Sequence, residues 1–523
     1  MKPIRELVKA LTSAHNLDKN KAERIKTEWA KKYKRTIPLS SEILAAANSA
    51  ERKKILRALV TKPTRTMSGV SVIAVMTKPA PCPGKCIYCP TSKIAPKSYT
   101  GYEPSAMRAR RNEFDSYRIV QNRLRQLHNV GHTTDKNEVI IQGGTFTALP
   151  WKYQYDFVKG IFDALNQFEC CAREKPCVKH KAKTLNDAQK INETAENRVV
   201  SLIIETRPDF CDKKHIQQML ELGATRVELG LQSVYNNILK GIRRGHNVET
   251  AKKAIKDLKN AGFKVDLHIM LGLPGSTKAS DIKMFKILFS DNGLKPDGLK
   301  IYPCAVIKGS RLYEDWKKGR YKQINDTYII DILKKVKIKY IPEYVRIKRI
   351  MRDIPSNLVE AGYEHINLRQ MIFDELKKEG KSCKCIRCRE IGQQLKFYGK
   401  IPKKADLCIF EYQASGGTEY FISFEDKRQG ILVGFARLRI ANKKAFLREL
   451  HVYGLAIQIS KKAAAGSIFA QHKGLGKKLL AEAEKIVRQH KINKLFVLSG
   501  AGAKEYYKNL GYAPESYYMT KNL

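Results

Sequence analysis

Cys82, Cys86 and Cys89 fall within one short stretch, "APCPGKCIYCPTSKI" (residues 80–94), with the spacing C-x3-C-x2-C. A closed zinc site or a fully ligated 4Fe-4S cluster takes four protein ligands, and this loop offers three. Three thiolates hold three irons and leave the fourth iron to chelate the amino and carboxylate groups of S-adenosylmethionine. An electron passed through such a cluster breaks the sulfonium carbon–sulfur bond and releases a 5'-deoxyadenosyl radical, so the missing ligand is the functional feature. A zinc site completed from afar, or three unrelated core cysteines, are the structural alternatives. The tight spacing and the small residues Pro83 and Gly84 weigh against both.

A second constellation lies near the C-terminus. "QHKGLGKKLL" places Gln471, Gly474 and Gly476 in the order Q-x-x-G-x-G, with His472, Lys473 and Leu475 between and beside them, where a strongly helical segment begins. Backbone N–H groups exposed at a helix N-terminus attract anions, and glycine removes the side chains that would hold a diphosphate away. Tyr506 and Tyr507 in "AKEYYKNLGY" add two phenols, of which one is expected simply to pack its helix. A third group, Cys383, Cys385 and Cys388 in "GKSCKCIRCREIG", has spacing suited to folding a short segment around one zinc ion. Its expected fourth ligand is Cys304 of "YPCAV", ahead of His365, and a second iron–sulfur cluster is the alternative. Cys170, Cys171, Cys177 and His180, in the polar insertion 168–198, match no common ligand pattern.

Six short runs alternate with helical stretches: "VSVIAVM", "EVIIQGG", "VVSLIIET", "TRVELGLQS", "KVDLHIMLGLPG" and "DGLKIYP". Near-continuous apolar strands between helices predict a parallel sheet covered on both faces. Six units suit an α/β fold of the partial (β/α)6 barrel kind, whose active-site loops converge past the C-terminal strand ends. The cysteine loop follows the first strand. "QGGTFT", with Gly143, Gly144 and Thr145, ends the second, Glu205 and Arg207 the third, and Glu228 and Gln232 the fourth. Lys264, Lys300 and Lys308 are basic candidates near strand ends for thioester hydrolysis or phosphate contact. Before the barrel, apolar residues at helical spacing (Ile4, Leu7, Val8, Leu11) predict a basic helical arm, with Ser40 and Ser41 capping a later helix. From about residue 405 the strands lose their parallel rhythm and an α+β domain is expected. The domain expectation is an arm over 1–68, a barrel over 69–345, a linker with the zinc site over 346–404, and the α+β domain over 405–523.

Ninety-eight Lys and Arg against 51 Asp and Glu give 523 residues a formal charge of +47, a field that gathers polyanions. A solvated lysine-rich surface is the other explanation of that charge. No apolar leader follows the N-terminus and no run reaches membrane-spanning length, so a cytoplasmic protein with no membrane partner is expected. Twelve cysteines are too sparse for a disulfide scaffold of this length, and their clustering fits reduced, metal-binding thiolates.

The first loop and "QGGTFT" resemble the radical S-adenosylmethionine superfamily, in which a glycine-rich strand end meets the methionine amino group. "QHKGLGKKLL", between long strands and "AKEYYKNLGY", resembles the GNAT acetyltransferase fold. Their combination, with "SYTGYEPSAMRA", "RRGHNVET", "LKIYPCAVIKGSRLYE", "RIMRDIPS" and "LRELHVYG", resembles the catalytic subunits of Elongator and their stand-alone prokaryotic relatives over about residues 70–523. The short C-x3-C is similar to the prokaryotic form. The resemblance implies Gly143, Gly144, Thr145, Glu205 and Gln232 around S-adenosylmethionine. It further implies Glu449, Leu450, His451, Val452, Gln471–Gly476 and Tyr506 around acetyl-CoA, with Lys264, Tyr506 and Tyr507 as catalytic candidates.

The activity implied is modification of the tRNA wobble uridine at base carbon C5. A hydrogen is abstracted from the acetyl methyl group, the carbon radical adds to the uracil, and thioester hydrolysis leaves 5-carboxymethyluridine. Uracil C5 is not acidic enough for simple acyl transfer, and a stacked base must be splayed out to reach any such site. The partners implied are a tRNA anticodon stem-loop, acetyl-CoA, an electron donor, and a homodimer mate or accessory subunits. A lysine acetyltransferase on a structural barrel would be repelled by its own basic substrates. A non-catalytic RNA scaffold leaves the cysteine loop unexplained, and a methylthiotransferase would want an upstream cluster where residues 1–81 hold no cysteine.

Overall fold

The β-branched runs become strands because each is buried on both sides. The structure, a computed structural model, describes residues 2–60, 68–168, 182–365, 367–454 and 474–523. Strands β1 (Ser71–Met76), β2 (Lys136–Gln142), β3 (Arg198–Thr206), β4 (Arg226–Gln232), β5 (Lys264–Leu271) and β6 (Gly298–Pro303) follow in chain order. Next come the short β7 (Val306–Ile307), β8 (Arg346–Ile350) and β9 (Val359–Ala361). The main sheet has the order β1-β2-β3-β4-β5-β6-β8, every neighbour parallel, while β7 and β9 form a separate antiparallel ribbon. The expected six units are therefore seven. The seventh strand, "RIKRI", lies in the stretch assigned to a linker, because its alternating cations disguise a strand whose charged residues turn inward.

The outward faces of these strands form one apolar core with the surrounding helices, Ile73, Val139, Leu202, Val227, Val265, Leu299 and Ile347 being buried in it. That core continues into the C-terminal domain through Phe421, Phe435, Tyr453 and Leu498. The inward faces of β2, β4, β5, β6 and β8 are charged: Glu138, Arg226, Glu228, Lys264, Asp266, Lys300 and Lys348 alternate with the apolar positions, as a period of two requires. All-parallel sheets ordinarily fill both faces with Val, Ile and Leu.

The C-terminal sheet runs β10 (Asp406–Ala414), β11 (Gly417–Asp426), β12 (Ile431–Ala441), β13 (Lys444–Val452), β14 (Lys494–Val497), β16 (Tyr518–Asn522) and β15 (Ala513–Glu515). Strands β10 to β13 form an antiparallel meander, β13 meets β14 in parallel, and helix Leu475–Gln489 covers one face over Ile422, Leu438 and Leu447. The two domains dock closely where the turn after β14 meets β3. A Cβ on Gly500 would stand 2.5 Å from the backbone of Val200, so only glycine allows that approach.

Four helices, Lys2–Ser13, Lys19–Lys32, Ser40–Ala46 and Ser49–Leu59, make the arm, with its own core of Leu7, Leu11, Trp29, Ile43 and Ile55. Ser40 and Ser41 do not cap. The cap position of the third helix is Leu39, and Glu42 accepts its N–H at 2.9 Å.

Candidate active site

Loops past the C-terminal ends of the barrel strands enclose a cavity that brings Cys82, Cys86 and Cys89 together with Gly144, Thr145, Glu205 and Gln232. Arg244 donates from Nη1 to Cys86 Sγ at 3.4 Å. The Cys86 thiol is held far below its ordinary range, first by its hydrogen bond with Cys89 and then, against burial, by the charge of Arg244, while Cys89 is pushed up. A loop that already favours a thiolate suits a metal cluster. Arg207 donates to both Asp209 oxygens at 2.9 and 2.7 Å, yet its buried Nη1 has no partner. The buried Oε1 of Gln232 has none either. One orphaned cationic donor and one orphaned acceptor fit the carboxylate and ammonium of an amino-acid ligand. Gln232 and Ser98, both lining this cavity, have φ of +75° and +83°, a conformation that side-chain-bearing residues hold only under constraint. Gly144, at φ +56°, leaves open space beside the cavity, with nothing nearer than 3.9 Å to where a Cβ would sit.

A second cavity, of about 230 Å³, lies at the opposite rim of the barrel. Strand β13 pairs with β14 only over Ala445–Leu447, then continues on β12 alone, with Arg448 bulged between Leu447 and Glu449. Past the bulge no described strand pairs with its other edge, and Glu449, Leu450 and His451 line the cavity there, a template for an extended ligand. Gly474, at φ +77°, begins helix Leu475–Gln489 with no side-chain cap, which leaves its first N–H groups to an anion. Tyr507 is buried and lines the cavity, whereas the Tyr506 hydroxyl lies against Gly476, within 2.7 Å of where a Cβ would sit; burial raises Tyr506 to about 12. Lys264 enters from the N-terminal end of β5, on the side away from the cysteines, with Nζ 3.9 Å from Glu449. Burial, reinforced by Arg226, lowers Lys264 to about 8. Burial likewise lowers His451, whose Nε2 lies 3.0 Å from the Ser68 carbonyl.

Between the two cavities stands a column of ion pairs. Arg226 bonds Glu138 and Glu449, each at 3.1 Å, and Lys348 lies 3.0 Å from Asp266. Lys300 bonds Glu205 at 2.7 Å and also Glu228, which in turn meets His268 at 3.2 Å. Against the penalty of burial, the neighbouring cations Lys348 and Arg226 hold Glu138 down at about 2.

The descriptions of four families match successive parts of the chain: the ELP3 N-terminal domain at 1–67, the Radical SAM superfamily at 80–286, the Radical_SAM C-terminal domain at 296–378, and the Acetyltransferase (GNAT) family at 388–512. A tRNA uridine(34) acetyltransferase of Methanocaldococcus infernus is 44% identical over 99% of this chain and 98% of its own length. Elongator complex protein 3 of Homo sapiens is 37% identical over 99% of this chain and 96% of its own. The chain belongs to the Elongator complex protein 3 family. The structure of the archaeal Methanocaldococcus infernus Elp3 lacking residues 1–46 superimposes with a TM-score of 0.75 at 42% identity, covering 88% of this chain and all of that one.

Within this Elongator protein 3 frame, other expected site residues fall differently. Cys383, Cys385 and Cys388 bring their sulfurs within 4.8 Å of one another, and Lys337 Nζ stands 3.5 Å from Cys388. Cys304 does not join them. It follows β6 into another buried cluster beside Tyr321, where burial raises its thiol to about 12. His365 bonds Asp326 instead. Lys264 sits at the acetyltransferase rim, Lys300 in mid-barrel and Lys308 on the surface. Gln471, His472, Lys473, Cys170, Cys171, Cys177 and His180 lie outside the described residues. The residues missed from sequence are the lumen charges Glu138, Arg226, Asp266 and Lys348. Their charge at alternate strand positions was the available sign.

Proposed function

We propose that this chain modifies the tRNA wobble uridine at base carbon C5, using S-adenosylmethionine at one rim of the barrel and acetyl-CoA at the other. The observation that carries this reading is the single charged lumen joining a three-thiolate loop to the open edge of β13. When bound, the iron–sulfur cluster with S-adenosylmethionine supplies one-electron chemistry able to make a carbon–carbon bond, and acetyl-CoA supplies the two-carbon unit.

Cys82, Cys86 and Cys89 would hold three irons, with Arg244 and Arg207 offsetting the negative charge. Gly143, Gly144, Thr145, Glu205 and Gln232 would seat S-adenosylmethionine. The β13 edge from Glu449 to His451 would bind the pantetheine arm as an added strand, with Val452 beside it, and the uncapped helix after Gly474 its diphosphate. Hydrolysis of the thioester forms an acyl–oxygen bond from water and breaks the acyl–sulfur bond, leaving a thiolate that needs a proton. Lys264, lowered to about 8 and held beside Glu449, is placed to donate it.

The arm at 1–68 and the net charge of +47 support phosphate contacts, with affinity that falls as salt rises. A structural zinc on Cys383, Cys385 and Cys388 is part of the same reading, supported by Lys337 and Arg369, cations that a thiolate–metal site would balance. Work on tRNA in the cytoplasm with an electron donor, and with accessory subunits as the name of the Elongator relatives suggests, completes it.

The test is anaerobic reconstitution with iron and sulfide, incubation with tRNA, S-adenosylmethionine, acetyl-CoA and a reductant, then nucleoside mass spectrometry. The expected product is 5-carboxymethyluridine. Cys86→Ala should abolish it and leave RNA binding unchanged. A cluster-loaded wild-type chain that leaves the wobble uridine unmodified would overturn the proposal.

A further inference from the structure

The barrel sheet does not close: β1 and β8 are its two edges and share no hydrogen bonds. The open seam between them leads into a cavity of about 540 Å³. Its outer rim carries Arg108, Arg123, Arg349 and Arg387, and its inner wall Ala74, Ile140, Gln142, Lys300 and Lys348. This cavity shares Glu138, Arg226, Glu449 and His451 with the acetyltransferase cavity. On the other side a single layer of side chains parts it from the cluster cavity, since Lys300 and Glu228, which line it, bond Glu205 and His268, which line the other. A basic mouth, a wall that offers both apolar contact (Ala74, Ile140) and polar groups, and a position between the two reagent cavities are what an extruded nucleotide needs.

On the inner wall the buried Oε1 of Gln142, on a residue 6% exposed, lacks a hydrogen-bond partner, and the ammonium of Lys348, paired with Asp266 at 3.0 Å, has further N–H groups to offer. One is an acceptor and the other a donor. Uracil presents an N3–H flanked by the carbonyls O2 and O4, so it supplies the missing donor and an acceptor together. Cytosine carries a lone pair at N3 and an amino group at C4. A glutamine amide can turn round to suit cytosine N3, but an ammonium set against position 4 meets an acceptor in uracil (O4) and a donor in cytosine (the amino group), which it cannot accept from. We infer that Gln142 reads the Watson–Crick edge of the splayed-out uracil in the seam cavity, accepting from N3–H, with Lys348 donating to O4. This rests on the wobble-uridine reading and adds to it the residue that selects the base.

The experiment uses the full chain, reconstituted anaerobically, with labelled anticodon stem-loop RNAs that differ only in carrying uridine or cytidine at the wobble position. Affinities come from fluorescence anisotropy, and S-adenosylmethionine affinity is measured in parallel. Wild type should prefer the uridine RNA by about tenfold or more, the scale of one well-placed pair of base-edge hydrogen bonds. Gln142→Met, similar in volume and without the acceptor, should lower that preference below about threefold by weakening the uridine RNA alone. The cytidine RNA and S-adenosylmethionine should bind as before, which also shows that the variant is folded. Gln142→Glu keeps an acceptor for N3–H and should retain the preference.

The inference falls if Gln142→Met keeps the wild-type ratio, or if it loses S-adenosylmethionine while the ratio stands. If Gln142→Met does not fold, loss of the preference in Gln142→Glu overturns it. A wild type that forms the C5 product yet binds both RNAs equally overturns the inference and spares the wobble-uridine reading. Absence of product from both RNAs sinks that reading first.

Discussion

Replacing Asp297 by asparagine tests how the two catalytic domains are fastened. This buried carboxylate, just before β6, accepts from the Val265 N–H at 2.8 Å and from both terminal nitrogens of Arg448 at 2.6 and 2.8 Å. Arg448 belongs to β13 of the acetyltransferase domain and also bonds Glu419 at 2.6 Å and the Phe263 carbonyl at 2.9 Å. Arg437 stands 3.5 Å from the same carboxylate. Asparagine keeps the shape but removes the charge and turns one acceptor into a donor that faces other donors. Removing one partner of a buried pair costs about 3–5 kcal/mol, and at roughly 1–2 °C per kcal/mol for a cooperative unit of this size the melting temperature should fall by about 3–10 °C. Calorimetry of the wild type, Asp297→Asn, Arg448→Met and the double variant checks this, because the double variant should cost far less than the sum of the singles. A melting point within about 2 °C of wild type, or additivity within about 0.5 kcal/mol, would refute the reasoning. The pH dependence has a definite sign. Against burial, Arg448, Lys259 and Arg437 hold Asp297 well below the carboxylate range, so its folded value lies under its unfolded one. Its contribution is present above the unfolded value and is lost only as pH falls through the much lower folded one, so the docking should survive acidification to about pH 4.

At the acetyltransferase rim, Gly474→Glu meets no steric neighbour but must hold φ +77°, which costs about 1–2 kcal/mol. It also sets a carboxylate at the proposed diphosphate site, so calorimetric titration should show acetyl-CoA affinity falling more than about tenfold with S-adenosylmethionine affinity unchanged. Lys264, lowered to about 8, gives up its proton in the folded chain before the unfolded one does. This group therefore adds stability as pH rises from about 8 toward 10.5, while acetyl-CoA hydrolysis, for which the proposal needs the protonated form, should decline over the same rise. Lys264→Met should flatten that limb in a thiol-release assay. Cys383→Ser should lower the zinc found by elemental analysis without changing iron content.

The loops were easier to read than the walls. "CPGKCIYCP" and "GLG" sit at element ends, where ligand spacing and missing side chains leave a direct mark on the sequence. The strands of the barrel were legible where their outward residues were Val, Ile and Leu. β8 was not, since Arg346, Lys348 and Arg349 in "RIKRI" look like solvent-facing charge until a lumen exists for them to enter. β10 hid for a related reason: as an edge strand it exposes Leu407, Ile409 and Phe410, and so shows no clean alternation. Lys264 was found as a residue near a strand end but not assigned to a rim, because a strand's charged end looks the same from either direction. Cys304 misled through nearness along the chain, which does not determine which side of the β6 turn a thiol takes.

The charged barrel wall is also a ruler. β4 runs seven residues from Arg226, which bonds Glu449, to Gln232 beside the cysteines, a span of roughly 20 Å at 3.3 Å per residue. Adding one residue to such a strand would turn its inward charges outward, and adding two would push the reagents apart by about 7 Å. Length variation should therefore gather in the loops of this protein, while its strand lengths stay tied to the reach of a tethered two-carbon donor.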